Sequence, residues 1–415
     1  MKFTLGSTDA GAIPANLTNY FARYHNNLKG EPLLTKIKFR DEGTNVWQDF
    51  QELPGTGVRD FQQFLKDSGF MPKSTVDGIF GYETHAATRL FQEYIRNVQG
   101  DVSIGVPDGV AGPNTLGFVE KWKQAQTGIC DWGKYNAQTP SQEFTQWMEL
   151  LAKAKNYFIT DRTNPIVQHV ENYKLPSDTR KPTEWDVSPD TVHLIGLRRS
   201  QDAFAGTARR ENDDLFVLLI KGMVFKFWGS TDPNPGIYDE KKKEKRDVLP
   251  FLVESQHSYQ FGWHKLDEEE KVYRALRPAS NGVLVFRDKD KNRALTNEDI
   301  VKGLDAQPNN TINIHWSGHG NTNFSAGCQV IAGRSYINHK GDLINCSAYA
   351  AGTYDELGSQ KTRAAYNVLT DLLLTYGASG VRTIAYLLGR DETLRLSDIW
   401  KENQVGALVD QLKRV

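Results

Sequence analysis

Two stretches of the chain repeat one another: Asp77-Gly-Ile-Phe-Gly-Tyr-Glu-Thr84 and Asp108-Gly-Val-Ala-Gly-Pro-Asn-Thr115. Each opens on Asp-Gly, a pair suited to a tight turn because glycine takes positive φ without steric cost. Each closes on a threonine near a helix start. After the first turn, Thr84, Ala87, Thr88, Phe91, Tyr94 and Ile95 share one helical face. After the second, Thr115, Phe118, Val119 and Trp122 do the same. Val58, Phe61 and Leu65 outline an earlier helix that stops at Gly69. Residues 55–125 are thereby constrained to three short helices joined by two Asp-Gly turns.

This pattern, with Phe91-Gln92, resembles the peptidoglycan-binding domain of the three-helix type. The resemblance implies a groove between helices that contacts glycan or stem peptide, with Tyr82, Phe70 and Arg89 as its lining. Asp77, Gly78, Asp108 and Gly109 are then architectural. The plainer alternative is a small helical bundle used only for docking.

Strand signals dominate from 186 to 345: Val192-His-Leu-Ile-Gly-Leu, Asp214-Leu-Phe-Val-Leu-Leu-Ile, Met223-Val-Phe-Lys-Phe-Trp and Gly282-Val-Leu-Val-Phe. The apolar run Leu215 to Phe227 is broken by Lys221, Gly222 and Lys226, and reads as two strands around a Lys-Gly turn. Toward its end lies His315-Trp-Ser-Gly-His-Gly-Asn-Thr-Asn-Phe-Ser-Ala-Gly-Cys328. A thiol is a nucleophile only as a thiolate; an imidazole can take its proton, and N–H groups of a tight turn can hold an oxyanion. Ile312 to His315 reads as a short buried strand, and the following loop presents Cys328. The bland reading of Cys328 is a small buried hydrophobe, and His315 and His319 read equally as core or loop histidines. Zinc held by His315, His319 and Cys328 lacks a fourth ligand, since Cys346 stands eighteen positions further on. His339 is the base in a rival arrangement where the cysteine comes first.

The segment resembles the signature of the L,D-transpeptidase catalytic domain, whose pattern is an early His and then Ser-x-Gly-Cys. The resemblance implies a mostly-β fold, with Cys328 as the acylated nucleophile and His315 as the general base. It also implies Ser325 and Gly327 as the turn that shapes the oxyanion site, with the N–H groups of Gly327 and Cys328 as donors. Ala326 stands where the family has a second histidine, and His319-Gly320 offers another His-Gly element, so either His315 or His319 is the base. Upstream, Trp263, Tyr273 and Arg277 read as a lip that holds a stem peptide and its carboxylate, or else as ordinary strand packing.

The expected fold class is multidomain α+β: a three-helix module, a mostly-β catalytic domain and C-terminal helices. The expected layout is an extension at 1–54, the binding module at 55–125, a helical linker region at 126–185, the catalytic domain at 186–350 and a helical region at 351–415. The extension looks packed through Phe3, Leu5, Leu17, Tyr20, Phe21 and Tyr24. Ser141 to Tyr157 forms a helix striped by Phe144, Trp147, Met148, Leu151 and Ala154. Ala364, Val368, Leu369, Leu372 and Leu373 stripe a late helix expected to brace the sheet. Lys241 to Arg246 is a solvated run or a contact for anionic wall polymer. Asp288-Lys-Asp-Lys-Asn292, ending at Asp299, imitates a calcium loop but has Arg293 at the sixth place where glycine belongs, and reads as a turn.

A formal charge of −1 gives no basic field, so nucleic acid is not an expected partner. No apolar run is long enough to span a membrane. Three cysteines do not build a disulfide framework. No metal or cofactor is expected. The expected activity is a cysteine enzyme on peptidoglycan stem peptides, by transpeptidation, D-amino-acid exchange or hydrolysis, acting in periplasm or cell wall. Met-Lys-Phe-Thr-Leu-Gly-Ser-Thr-Asp is no secretory signal, which points to release by lysis or a dedicated secretion or injection machine, and to an effector role. The alternative is a non-catalytic wall-binding component of a phage or injection particle.

Overall fold

A computed structural model describes residues 1–13, 38–40, 47–53, 57–199, 211–237, 248–265, 272–377, 383–390, 392–398 and 404–415. Leu17, Tyr20, Phe21, Tyr24 and the run Lys241 to Arg246 lie outside the described residues. The chain is mixed α/β and groups into two compact units. One comprises Met1–Asn136, Gly262–Arg274 and Ala348–Arg382; the other comprises Ala137–Phe261, Ala275–Ser347 and Thr383–Val415. These units replace the consecutive blocks expected from the sequence, because each gathers segments far apart in the chain. No helix among the described residues is long and apolar enough to cross a membrane.

The first unit contains helices α1 (Val58–Asp67), α2 (Tyr82–Glu93) and α3 (Pro113–Gln124). Gly78 (φ 78°) and Gly109 (φ 81°) both take the left-handed turn conformation. A glutamine from the preceding helix clamps each turn. Gln62 accepts from Gly78 N–H at 2.8 Å and donates to Asp77, Ile79 O and Thr84. Gln92 accepts from Gly109 N–H at 2.8 Å and donates to Asp108, Val110 O and Thr115. The N-terminal segment ties both turns together, with Phe3 bridging Ala111 and Asp9 N–H reaching Gly78 O. Asp9 also caps α1 by accepting from the N–H groups of Gly57, Val58 and Arg59.

The late apolar helix, α5 (Ala365–Tyr376), belongs to this unit and not to the sheet it was expected to brace. It is buried all round because Asp371 forms a fork with Arg89 of α2, at 2.8 and 2.7 Å, and Tyr376 donates to Gly69 O. An arginine this deeply buried requires a charged partner.

The second unit is built on a β-sheet that closes into a barrel. Its main strands in chain order are β1 (His193–Arg198), β2 (Asp214–Ile220), β3 (Met223–Ser230), β4 (Ser255–His264), β5 (Tyr273–Pro278), β6 (Ile314–Trp316), β7 (Gln329–Ile331), β8 (Ser335–Ile337), β9 (Leu343–Asn345) and β10 (Thr383–Arg390), with the residues from Gly262 in β4 and up to Arg274 in β5 counted in the first unit. They neighbour in the order β7-β6-β5-β4-β10-β1-β2-β3, and β7 also pairs with β3, which closes the ring. The β8–β9 hairpin continues from β3. Lys221 (φ 53°) and Gly222 (φ 78°) make the expected tight turn between β2 and β3.

Strand alternation sorts side chains between two faces. Phe216, Tyr259 and Tyr386 meet on the inner face, where Gly196 leaves room for the Tyr386 hydroxyl; a Cβ there would lie 2.3 Å from it. On the outer face Ile195, Leu197, Leu215, Val217 and Trp228 pack under α4 (Gln142–Thr160) and α6 (Gln404–Lys413). Ser141 caps α4 by accepting from Phe144 N–H at 3.1 Å.

Candidate active site

Cys328 stands one residue before β7, half-buried, whereas Cys130 and Cys346 are buried; all three are free thiols. β6 and β7 run parallel with Ile314 opposite Gln329 and His315 opposite Val330. Carried back one residue, this register sets Cys328 opposite Asn313, and the Gln329 N–H bond to Asn313 O at 2.8 Å keeps it there. Gln329 reaches inward, accepting from the Tyr386 hydroxyl at 3.0 Å. Alternation turns Cys328 and Val330 to the opposite face, which His315 shares. Diagonal neighbours on one face have Cβ atoms about 7–8 Å apart, within reach of an imidazole and a thiol.

The His315 ring is oriented by its own strand. Nδ1 lies 2.9 Å from Trp316 O, which can only accept. Nδ1 therefore carries the hydrogen in the neutral ring, and Nε2 is the basic nitrogen. The Cys328 thiol donates to Thr311 O at 3.1 Å and accepts from Asn313 N–H at 3.4 Å, both beside β6.

The loop before the cysteine is pinned from behind. Asn323 is fully buried; it donates to Ser230 Oγ and to Asp232 O and accepts from Ser325 N–H at 2.8 Å. Asn234 donates its N–H to Ser325 O at 2.7 Å and its side-chain amide to Asn323 O. Ser325 Oγ accepts from Gly327 N–H at 3.2 Å. Gly327 is close-packed: a Cβ would meet Pro250 at 2.7 Å. Ser325 and Gly327 thus hold the turn before Cys328 together. Gly327 N–H, expected as an oxyanion donor, is instead committed to Ser325.

The other two histidines lie elsewhere. His319 is exposed in the turn at the far end of β6, where Gly333 N–H bonds Gly318 O. Four or more strand residues separate that level from Cys328, about 15 Å. His319 is therefore not brought to the thiol. His339 follows β8, packs against Phe225 and lies five to six strand residues along β3 from the β7 contact, roughly 15–20 Å. The rival arrangement with His339 as base fails for that reason.

Of the expected lip, Arg277 alone stands near the thiol. Leu276 on β5 pairs with Ile314, which puts Arg277 opposite Asn313. Arg277 is partly buried; burial pushes its guanidinium down from the ordinary value, and the charge of Cys328 opposes that shift. Trp263 and Tyr273 fall in the first unit and are 3% and 0% exposed, so neither offers a face to substrate. Trp263 packs edge-on against Tyr82, and Tyr273 lies under the Arg363 guanidinium at 4.4 Å. The expected groove lining is corrected likewise. Tyr82, Phe70 and Arg89 are buried, with Phe70 inside an aromatic cluster of Phe91, Tyr94, Trp122 and Trp132. Residues 262–274 and 348–382 complete this unit, a contribution the periodicity of 55–125 cannot reveal.

Sequence reasoning missed Asn313, Asn323 and Asn234. Asparagines beside a Ser-x-Gly-Cys turn were the available signal, since Asn holds irregular backbone with both ends of its amide.

Among the described residues, Asp288, Asp290 and Asp299 each bring an oxygen within 4.8 Å of the others and could gather a cation. Arg293 takes φ 70°, so the loop closes without the glycine whose absence argued against it. The carboxylates accept from the backbone N–H groups of Lys289, Asn292 and Arg293, and Thr296 with Asp299 starts a short helix (Asn297–Val301). Burial, with Asp290 and Asp299 alongside, raises the Asp288 carboxyl above its usual range.

No protein family, curated protein or solved structure matches this chain.

Proposed function

We propose that this chain is a cysteine-dependent acyl-transfer enzyme acting on peptidoglycan stem peptides. The observation that carries the reading is the placement of Cys328 and His315 on one face of two adjacent parallel strands, one diagonal step apart, with the His315 tautomer set by Trp316 O. In this reading His315 Nε2 takes the thiol proton and the thiolate attacks a peptide carbonyl. The tetrahedral oxyanion collapses to a thioester as the amine leaves with the proton from His315. An incoming amine then gives transpeptidation or D-amino-acid exchange; water gives hydrolysis.

The substrate class rests on the resemblance of residues 55–125 and of the His315–Cys328 segment to two cell-wall families in one chain. The first unit would retain the enzyme on the wall, and the site of action would be periplasm or cell wall. Incubating the protein with purified muropeptides, beside Cys328→Ala, tests this by mass spectrometry. A cysteine-dependent exchange or loss of a terminal residue supports the reading. Wall pull-down without any cysteine-dependent change would favour a non-catalytic wall-binding component.

A further inference from the structure

Three residues form a row across neighbouring strands. Arg277 on β5 stands opposite Asn313, and Asn313 stands opposite Cys328. Directly opposite residues share a face of a sheet. The backbones of Arg277 and Cys328 are two inter-strand steps apart, about 10 Å, a gap that an arginine side chain crosses. Between them Asn313 N–H already points at the sulfur, at 3.4 Å. Two further titratable groups stand on neighbouring strands: His315 on β6, on the face of the cysteine, and Tyr259 on β4, on the inner face. Tyr259 donates its hydroxyl to Ile312 O at 2.9 Å, and burial holds that phenol well above its ordinary value, so it stays neutral. Asp178, which acts on Tyr259, is engaged by the N–H groups of Ser280, Asn281 and Gly282. Arg277 is therefore the permanent charge of the row.

We propose that Arg277 stabilises the thiolate of Cys328 through space, so that the thiolate forms without a protonated His315. The inference rests on the reading of Cys328 as the nucleophile. On ionisation the thiol proton leaves to water, the bond to Thr311 O is given up, and the guanidinium stays protonated. Asn313 N–H and Arg277 then face the sulfur together. In the free enzyme His315 stays neutral; with substrate bound, its Nε2 takes that proton up from the water and gives it to the leaving amine. A guanidinium suits the role because it does not deprotonate at working pH.

The test is the rate of alkylation of Cys328 by iodoacetamide across pH, read by peptide mass spectrometry. Burial of Cys130 and Cys346 keeps them out of the reading. The wild-type rate is expected to titrate below the ordinary thiol value of about 8.5. Arg277→Gln should raise that midpoint by about one pH unit, as loss of a nearby opposite charge does. Arg277→Lys should keep most of the shift, and His315→Gln should leave the midpoint low. A wild-type midpoint at the ordinary value would overturn the proposal, even if Arg277→Gln fails to fold. An unshifted Arg277→Gln, or a His315→Gln midpoint at the ordinary value, would overturn it too. Alkylation needs no wall substrate. A shifted midpoint without muropeptide turnover would sink the substrate reading alone, and turnover with an unshifted midpoint would sink this inference alone.

Discussion

The Asp-Gly turns and the cysteine loop are both irregular backbone held by side-chain amides, but their partners come from different distances. Gln62 and Gln92 clamp turns 15 to 17 residues further along the chain. Asn323 and Asn234 tie the cysteine loop to partners 89 to 93 residues away. A nearby clamp adds little loop-closure entropy, so each turn can form with its own two helices. The cysteine loop takes shape only when β3 has already met β7. The lesson is that the wall-binding resemblance lies in local order, whereas the chemistry depends on the barrel being closed.

The largest expected effect is at Gly109. A Cβ there would meet His85 Nε2 at 2.3 Å, in a turn at φ 81°. Gly109→Ala should cost about 4 kcal/mol from the clash and the left-handed backbone together. Gly100, also at positive φ (79°) but with nothing within 4 Å, should cost about 1 kcal/mol when changed to Ala. Urea unfolding of the two variants decides; equal costs would mean that close packing does not set the turn.

Next come the clamps. Gln62→Ala or Gln92→Ala should each cost about 3 kcal/mol, because buried donors and acceptors lose partners. Hydrogen exchange should quicken at 77–84 or at 108–115 respectively, and not at the cysteine loop. Loss of protection at all three places would break the comparison.

Asn323→Ala should cost less, about 2 kcal/mol, since its amide makes three side-chain hydrogen bonds where each glutamine makes four. It should nonetheless lower cysteine-dependent turnover more than tenfold, because the loop that presents Cys328 loses its anchor. Full turnover would show that the remote clamp is not what positions the thiol.

The smallest effect concerns a remote contact of the other kind. His257 is buried between Thr179 and Val253 O, and burial pushes its imidazole down to about 3. The unfolded chain takes up a proton below about 6.5, but the folded one does not until near 3, so stability falls as pH drops through that window. At pH 5.5 the loss is about 1 kcal/mol, and it grows toward pH 3. His257→Gln should flatten this part of the acid limb in thermal unfolding measured against pH; an unchanged slope would place the acid sensitivity elsewhere.

The same contrast explains what was legible in the sequence. Periodicity and turn chemistry find α1, α2, α3 and both turns because each signal is complete within a few residues. Ser325, Gly327, Cys328 and His315 are legible because the motif names them in order. The choice between His315 and His319 is not, since only the β6–β7 register shows which one shares an end with the thiol. Arg89, Tyr82 and Phe70 were misread as exposed because their cover, including Asp371, lies far along the chain. Trp263 and Tyr273 were misread for the same reason. Arg277 was singled out as an arginine near the site, but its place in a row with Asn313 and Cys328 needed two registers to see.

The central claim is that Cys328 is acylated by a stem peptide. The most direct measurement is the intact mass of the protein, quenched in acid shortly after mixing with a purified stem peptide. The account predicts an adduct equal to the peptide minus its leaving amine, mapped to Cys328, formed more slowly in His315→Gln, and missing in Cys328→Ala. An unmodified protein with no peptide product at any quench time would contradict it.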